Sequence, residues 1–346
     1  MATQDKSATR QASTRRAEVR AVQPAVVTVS VTAVYFYFVN WATPSQADKF
    51  TSSVVNCSSS GHSTVRQVVE LDRYDERAQS YFISDESYDY HLLIDTGVGD
   101  DDYDIRSFIA SIVGRSYLNS KKLIVVNTHS HFDHAGGNWR MMDGPYDLQE
   151  EVEDICISGV DPAYTRNTTL NVGRSDVPPA RPYRVTRWLD DGEITELKRN
   201  CQQYDPDACL TALAVSGHTP DSAAFYYGRE KLLFVGDFVY TGPVLSCGPR
   251  SDIHAYLAST QKLLRFVQAL PNGGSNVHMA CGHSNKCLRA VETLQALQAL
   301  VQSVIAGTAQ QLPIPEFVQL YCADPAANAA YKAQGVEIYL IAPKRP

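Results

Sequence analysis

Hydrophobic positions along the chain follow two rhythms. Short apolar runs bounded by polar, Gly or Pro clusters occur at 65–71, 80–84, 91–95, 123–126, 155–158, 208–215, 222–227, 231–235, 276–280 and 336–341, and each predicts a strand. Elsewhere, Ile105, Phe108, Ile109, Ile112, Val113 and Leu118 recur at helical spacing. That spacing returns twice. Ile253, Tyr256, Leu257, Leu263, Leu264, Val267 and Leu270 predict a helix running from a Ser251 cap to Leu270. Leu288, Val291, Leu294, Leu297, Leu300, Val301 and Val304 predict another over 285–305. A further helix is expected to begin in 135–142, and Asp161-Pro162 reads as an N-cap followed by Pro at the first helical position. Segments 183–189 and 193–197, flanking Asp190-Asp191-Gly192, predict a hairpin. Residues 166–182 carry no periodicity, and ordered loops of that length often serve function. Strands come first, helices then alternate with strands, and the order recurs in the second half. This predicts an α/β (α+β) chain of two similar halves, each a sheet covered by helices.

The N-terminal part fits neither rhythm. Residues 1–23 are rich in Ser, Thr, Ala, Gln and Arg, a composition that predicts disorder. No charged residue occurs over 21–47, and 25–39 (AVVTVSVTAVYFYFV) is strongly apolar. Two readings compete. Arg15, Arg16 and Arg20 upstream and the small residues ending at Ala47 suit a targeting segment, or a membrane anchor through residues 25–42. Alternation of Val with Thr and Ser over 27–31 suits an extra strand. The location stays open between a secreted or membrane-anchored protein and a cytoplasmic one. Residues 52–63 read as a linker. The expected division is therefore an N-terminal extension (1–63), a compact domain (64–306) and a C-terminal extension with a terminal strand (307–346).

Composition changes this picture little but removes some partners. With 44% hydrophobic and 20% charged residues the chain is ordinarily globular. A net charge of −7 and no long Lys/Arg run leave no electrostatic footprint for nucleic acid. A small-molecule substrate is expected instead, anionic ones included, because a metal site supplies its own positive field. None of the eight cysteines forms a CxxC pair, which argues against a cysteine zinc site. Cys201/Cys209 and Cys281/Cys287 are near enough in sequence for disulfides and equally compatible with buried thiols. Sequons at Asn56 and Asn167 would matter only in a secreted protein. Nothing in the sequence sets the oligomeric state.

The chemistry concentrates at strand ends. The stretch LIVVNTHSHFDHAGGN (123–138) is a buried strand followed by His129, His131, Asp133 and His134, four metal-capable side chains within six positions. Three later strands end in the same way, in a small-residue turn presenting one donor: Gly217-His218, Gly236-Asp237 and Gly282-His283. Five of the nine histidines fall in these four elements, too many for a polar loop that is histidine-rich by chance. Imidazole and carboxylate together suit Zn, Fe or Mn.

The series T-H-x-H-x-D-H (128–134), G-H-T-P (217–220), F-x-G-D (234–237) and C-G-H (281–283) resembles the metallo-β-lactamase-fold hydrolases over residues 64–306. Asp95, in LIDTG, matches that superfamily's early buried aspartate. The resemblance implies a four-layer αββα sandwich with a binuclear metal centre at its edge, holding two Zn²⁺ per chain, or Fe or Mn. By position, His129, His131 and His218 would bind the first ion, Asp133, His134 and His283 the second, and Asp237 would bridge them. A shared hydroxide would attack an ester-type carbonyl, with Asp133 helping to hold the nucleophile. Asp95 would orient the loop or a ligand histidine, or cap the strand end.

Within that superfamily, only 45 residues separate Asp237 from His283, too few for the inserted domain of the nucleases. The diiron flavoprotein oxidases carry Glu where His131 stands, and one class of zinc β-lactamases carries Cys where Asp237 stands. The segments 236–242 (GDFVYTG) and 251–257 (SDIHAYL) are most similar to the acyl-CoA thioesterases with this domain, and the 281–283 turn is similar to hydroxyacylglutathione hydrolase. A thioester or lactone is thus the expected substrate. Tyr240 is a candidate to assist a carbonyl or leaving group, or else packs beside the site. Asp221, in place of the common Gly after G-H-T-P, is expected to add a charge near the site. The alternatives are iron-dependent sulfur oxidation resembling the persulfide dioxygenases, and β-lactam hydrolysis.

Overall fold

A computed structural model describes residues 46–55, 64–142, 151–172, 174, 176–198, 206–284, 287–322 and 324–344. The readings of 1–45 as disordered, targeting, anchoring or strand-forming lie outside these residues, as do Asn56 and Cys201. Seven strands form a first sheet in chain order: β1 (Phe50–Val54), β2 (Thr64–Glu70), β3 (Gln79–Ser84), β4 (Tyr90–Ile94), β5 (Lys122–Val126), β6 (Val152–Ser158) and β7 (Arg187–Leu189). β1 to β4 pair antiparallel, and β4 to β7 pair parallel. The central parallel strands β4 and β5 end in aliphatic runs buried on both faces, as strands covered on both sides are. Leu93 and Val125 face the helix Ile105–Val113, while Leu92, Ile94, Ile124 and Val126 face the second sheet.

Three expectations for this half need correction. The compact part begins before Thr64. All five β1 residues pair with β2, and Phe50 is buried with its ring stacked on Phe108 at 5.1 Å. An exposed edge strand needs only one apolar anchor, so its Ser-rich composition looks like a linker. The helix expected to reach Leu118 stops earlier. Asp104 caps it by accepting from Ser107 N (3.0 Å), but Gly114 takes φ 91° and a separate turn, Arg115–Leu118, follows. Likewise, the helix expected over 135–142 is three short pieces: Phe132–Ala135, Gly136–Asn138 and Trp139–Met142.

The second sheet comprises β8 (Ile194–Glu196), β9 (Cys209–Ala214), β10 (Ala223–Tyr227), β11 (Leu232–Gly236), β13 (His278–Cys281) and β14 (Leu288–Arg289). Here β11 and β13 are parallel neighbours. The expected hairpin around Asp190-Asp191-Gly192 does not form. β7 pairs with β6 in the first sheet and β8 with β9 in the second, so the turn carries the chain across the sandwich. Leu189 and Leu197 both enter the core between the sheets, where Tyr81 and Ile83 meet Phe225 and Phe234. Fully burying a side chain such as Phe234 contributes roughly 1.5–3 kcal/mol. Helices Ile253–Ala269 and Ala290–Ile305 cover the outer face of the second sheet. The result is the four-layer αββα arrangement. The first of these helices is capped by Asp252, whose Oδ1 accepts from His254 N (2.8 Å) and Ala255 N (3.1 Å), rather than by Ser251.

The C-terminal stretch is integral rather than appended. β12 (Gly242–Leu245), β16 (Ile338–Pro343) and β15 (Asn328–Lys332) form a third sheet, and Tyr331, Ile338 and Leu340 share a core with the two long helices. A disulfide joins Cys247 to Cys322. Cys281 is a buried free thiol in the same core, so it does not pair with Cys287. Among the described residues, no helix is long and apolar enough to cross a membrane.

Candidate metal centre

Parallel pairing places strand ends side by side: β4 beside β5 in the first sheet, and β11 beside β13 in the second. Asp95 follows β4. Its carboxylate accepts from Thr128 N and Thr128 Oγ1, both at 2.8 Å, and meets His134 Nδ1 at 2.8 Å. It therefore both caps the end of β5 and orients a histidine. The two sheets are drawn together at this edge by Ala223 N donating to Thr128 O (2.7 Å). Glycine permits that approach. A Cβ on Gly236, already at φ 49°, would sit 2.3 Å from Thr128 Oγ1, and one on Gly282 would sit 2.2 Å from Asp237 Oδ1.

The donor atoms of His129, His131, His218 and Asp237 lie within 4.8 Å of one another, and so do those of Asp133, His134, Asp237 and His283. All seven side chains singled out in the sequence thus converge, with Asp237 in both groups. Asp237 Oδ1 is 3.1 Å from His134 Nε2, and its Oδ2 is 3.2 Å from His283 Nε2 and 3.7 Å from His218 Nε2. Asp133 Oδ2 lies 3.4 Å from His134 Nε2 and 3.3 Å from His283 Nε2.

Hydrogen bonds behind the rings set which nitrogen faces inward. His218 Nδ1 donates to Leu245 O and His283 Nδ1 to Glu76 O, both at 2.8 Å. A carbonyl only accepts, so these Nδ1 atoms carry the proton and Nε2 turns its lone pair inward when the ring is neutral. His131 is reversed. Its Nδ1 faces His218 Nε2 at 3.2 Å, and its Nε2 lies 3.4 Å from Tyr164 Oη. Ser251, displaced from the helix cap, donates Oγ to His218 O at 2.7 Å and steadies that turn.

This donor set fits a divalent cation. His129 Nε2 is buried without a hydrogen-bond partner, a costly situation that a cation among the donors relieves. Burial and the neighbouring imidazoles hold His131 down at about 3 and push His129 well below the usual histidine range, keeping both in the neutral form that ligates. At His134 and His283 burial acts in the same direction, but the Asp133 and Asp237 carboxylates outweigh it and draw positive charge to the second group.

The remaining candidates fall around this cluster. Tyr240 lines the cavity above it, yet its hydroxyl donates to Pro243 O (2.8 Å) and its ring meets the His283 ring edge-on at 5.4 Å. Asp221 does not face the cavity. It is fully buried, accepting from Thr219 Oγ1 and Thr165 Oγ1 at 2.8 Å each, and so ties the His218 turn to the Pro162–Thr165 helix. From the 166–182 loop, Arg174 reaches Glu76 Oε1 (2.6 Å) and Tyr74 O (2.9 Å). Tyr321 donates to the same Glu76 carboxylate at 3.0 Å. Burial, reinforced by the Asp133 charge, raises Glu76 to about 7. Glu76, Arg174 and Tyr321 belong to no motif, and no feature of the sequence marks them.

A family model described as the metallo-beta-lactamase superfamily matches residues 74–273. The acyl-coenzyme A thioesterase MBLAC2 of Gallus gallus is 28% identical over 199 residues, covering 51% of this chain and 63% of that protein. A hydroxyacylglutathione hydrolase of Crocosphaera subtropica is 23% identical over 171 residues, covering 48% of this chain and 52% of that one. The match thus spans less than two thirds of each relative's length. Among solved structures, the BLEG-1 B3 metallo-beta-lactamase superposes with a TM-score of 0.50 at 16% identity, covering 67% of this chain and 96% of that chain. At that identity the likeness is one of fold.

Proposed function

The chain belongs to the metallo-beta-lactamase superfamily, and on that footing we propose that it is a metal-dependent hydrolase of thioesters, with acyl-coenzyme A as the substrate class. The observation that carries the reading is Asp237, shared by two complete donor groups at the floor of an open cavity. In this reading His129, His131 and His218 hold one ion, Asp133, His134 and His283 hold another, and Asp237 bridges them. Two zinc ions would lower the pKa of a water between them toward ~7 and polarise a carbonyl oxygen.

The chain's own residues supply the rest. Asp133, beside Asp237 on the cavity wall, is placed to accept a hydrogen bond from an attacking water and keep it aimed. Phe132, Val172 and Leu245 line the same cavity and limit bulk water. Among the described lining residues the hydroxyls are committed, and Glu76, though raised to about 7, has its two carboxylate oxygens engaged by Arg174 and Tyr321. Tyr240 donates to Pro243, Tyr321 to Glu76 and Thr241 to Ser284. That suits a leaving group needing no proton. A thiol ionises near ~8.5 and departs as thiolate, whereas an alcohol or amine does not. The similarity to MBLAC2 supports the same substrate class.

The test is thiol release by the zinc-loaded full chain from acyl-coenzyme A and S-lactoylglutathione, beside ring opening of an acyl-homoserine lactone and a β-lactam. Acyl-coenzyme A is expected to be the fastest. Asp237→Ala and His134→Ala should lower the rate by more than about 100-fold while also lowering bound metal. Hydrolysis confined to the lactone or the β-lactam overturns the substrate assignment, and full activity in both variants overturns the centre. Oxygen consumption by an iron-loaded chain would select the sulfur-oxidation alternative.

A further inference from the structure

The cavity over the donor cluster is built from two sources. Its floor comes from the strand ends of the sandwich. Much of its apolar side comes from a segment beyond the family-matched residues, the 3₁₀ helix Glu316–Tyr321. We infer that this helix is the acyl-specificity wall, with Phe317, Val318 and Tyr321 taking the apolar chain of a thioester whose carbonyl lies over Asp133 and Asp237. The inference rests on the thioester reading above and deepens it.

Size and charge decide which part of the substrate the cavity encloses. Its volume is about 300 Å³, at the lower end of the ~300–1,000 Å³ typical of ligand sites. An acyl-coenzyme A cannot enter whole. Among the described residues no Lys or Arg lines it, while Asp75 and Glu76 do, so the phosphates of the nucleotide stay outside. Of the two arms that meet at the thioester, the amide-bearing pantetheine and the apolar acyl chain, the acyl chain matches the side formed by Leu245, Phe317 and Val318.

The wall is also fixed in place. Val318 is buried against Ile341 of β16, and Cys322, directly after the helix, is bonded to Cys247. Tyr321 donates to the Glu76 carboxylate, and the Glu76 carbonyl accepts from His283 Nδ1, so wall and donor cluster are held in register. Phe317 is 63% exposed at the rim. A large aromatic left open beside a cavity is a surface that a bound chain would cover.

The experiment measures kcat/KM for acetyl-, hexanoyl- and dodecanoyl-coenzyme A, and binding of the matching non-hydrolysable S-alkyl thioethers, on the zinc-loaded full chain and on Phe317→Ala. The exposure of Phe317 makes the truncation compatible with folding, and Leu320→Ala, a similarly exposed residue off the cavity lining, is the control. The dodecanoyl-to-acetyl ratio should fall about tenfold in Phe317→Ala, thioether binding should weaken alike, and Leu320→Ala should keep the original ratio. An unchanged ratio in Phe317→Ala, or an equal fall in Leu320→Ala, overturns the wall while leaving the thioesterase reading standing. Chain-length-dependent binding that needs Phe317, without turnover of any thioester, upholds the wall and overturns that reading. Neither binding nor turnover overturns both.

Discussion

Asp95 shows how one carboxylate off the cavity lining shapes a site. It holds Thr128 through two hydrogen bonds and His134 through a third, so its charge fixes both the backbone that launches the histidine loop and the tautomer of one donor. Asp95→Asn removes the charge and offers an amide where His134 needs an acceptor. Metal affinity, read by competition with a chromophoric chelator, should weaken about 10–100-fold, and an unchanged affinity would show that His134 needs no such support. Tyr240→Phe is the opposite case. The phenol proton is committed to Pro243 O, so the variant should lose far less than the ~10²–10⁴-fold that a general acid contributes. A loss of that size would restore Tyr240 as a proton donor. The metal-type residues were legible in the sequence because His and Asp at strand ends, each beside a small residue, are chemically conspicuous. Glu76, Arg174 and Tyr321 were not, since ordinary surface residue types meet across 98 and 245 positions. Asp221 lies beside the motif as its sequence position suggests, but that position says nothing about which way the side chain turns, and it turns inward to Thr165 and Thr219.

Periodicity locates whole elements better than their ends. The helical spacing from Ile253 onward is unmistakable, but Ser251 and Asp252 are both good caps and only geometry chooses between them. Asp252→Ala should cost about 1 kcal/mol, read as a lower urea midpoint with bound metal unchanged. A larger loss in Ser251→Ala, whose hydroxyl serves the His218 turn instead, would contradict the assignment. Connectivity is equally hidden from local pattern. Asp190-Asp191-Gly192 has hairpin chemistry whether its flanking strands share a sheet or, as here, lie in different ones. β1 escaped notice because its burial falls on one residue, Phe50. The third sheet escaped because β12 waits for a strand almost a hundred positions later, and no local signal can announce that pairing.

At the scale of the molecule, the donor cluster is a joint between the two sheets. His129, His131, Asp133 and His134 follow β5 of the first sheet, while His218, Asp237 and His283 follow β9, β11 and β13 of the second. Each donor group draws on both sides, so a cation held by either one ties the halves of the sandwich together. Bound metal should then stabilise the fold by mass action, by about 2.7–4.1 kcal/mol at 100–1,000 times its dissociation constant. For a chain of this size, chelation should lower Tm by roughly 4–6 °C. Because Asp237 serves both groups, Asp237→Ala should start from a lower Tm and respond to the chelator weakly or not at all. His218→Ala touches only the first group and should keep part of the response. Equal melting of the original chain with and without chelator would mean that the sandwich edge closes on hydrogen bonds such as Ala223 N to Thr128 O alone, and that the metal adds chemistry without adding structure.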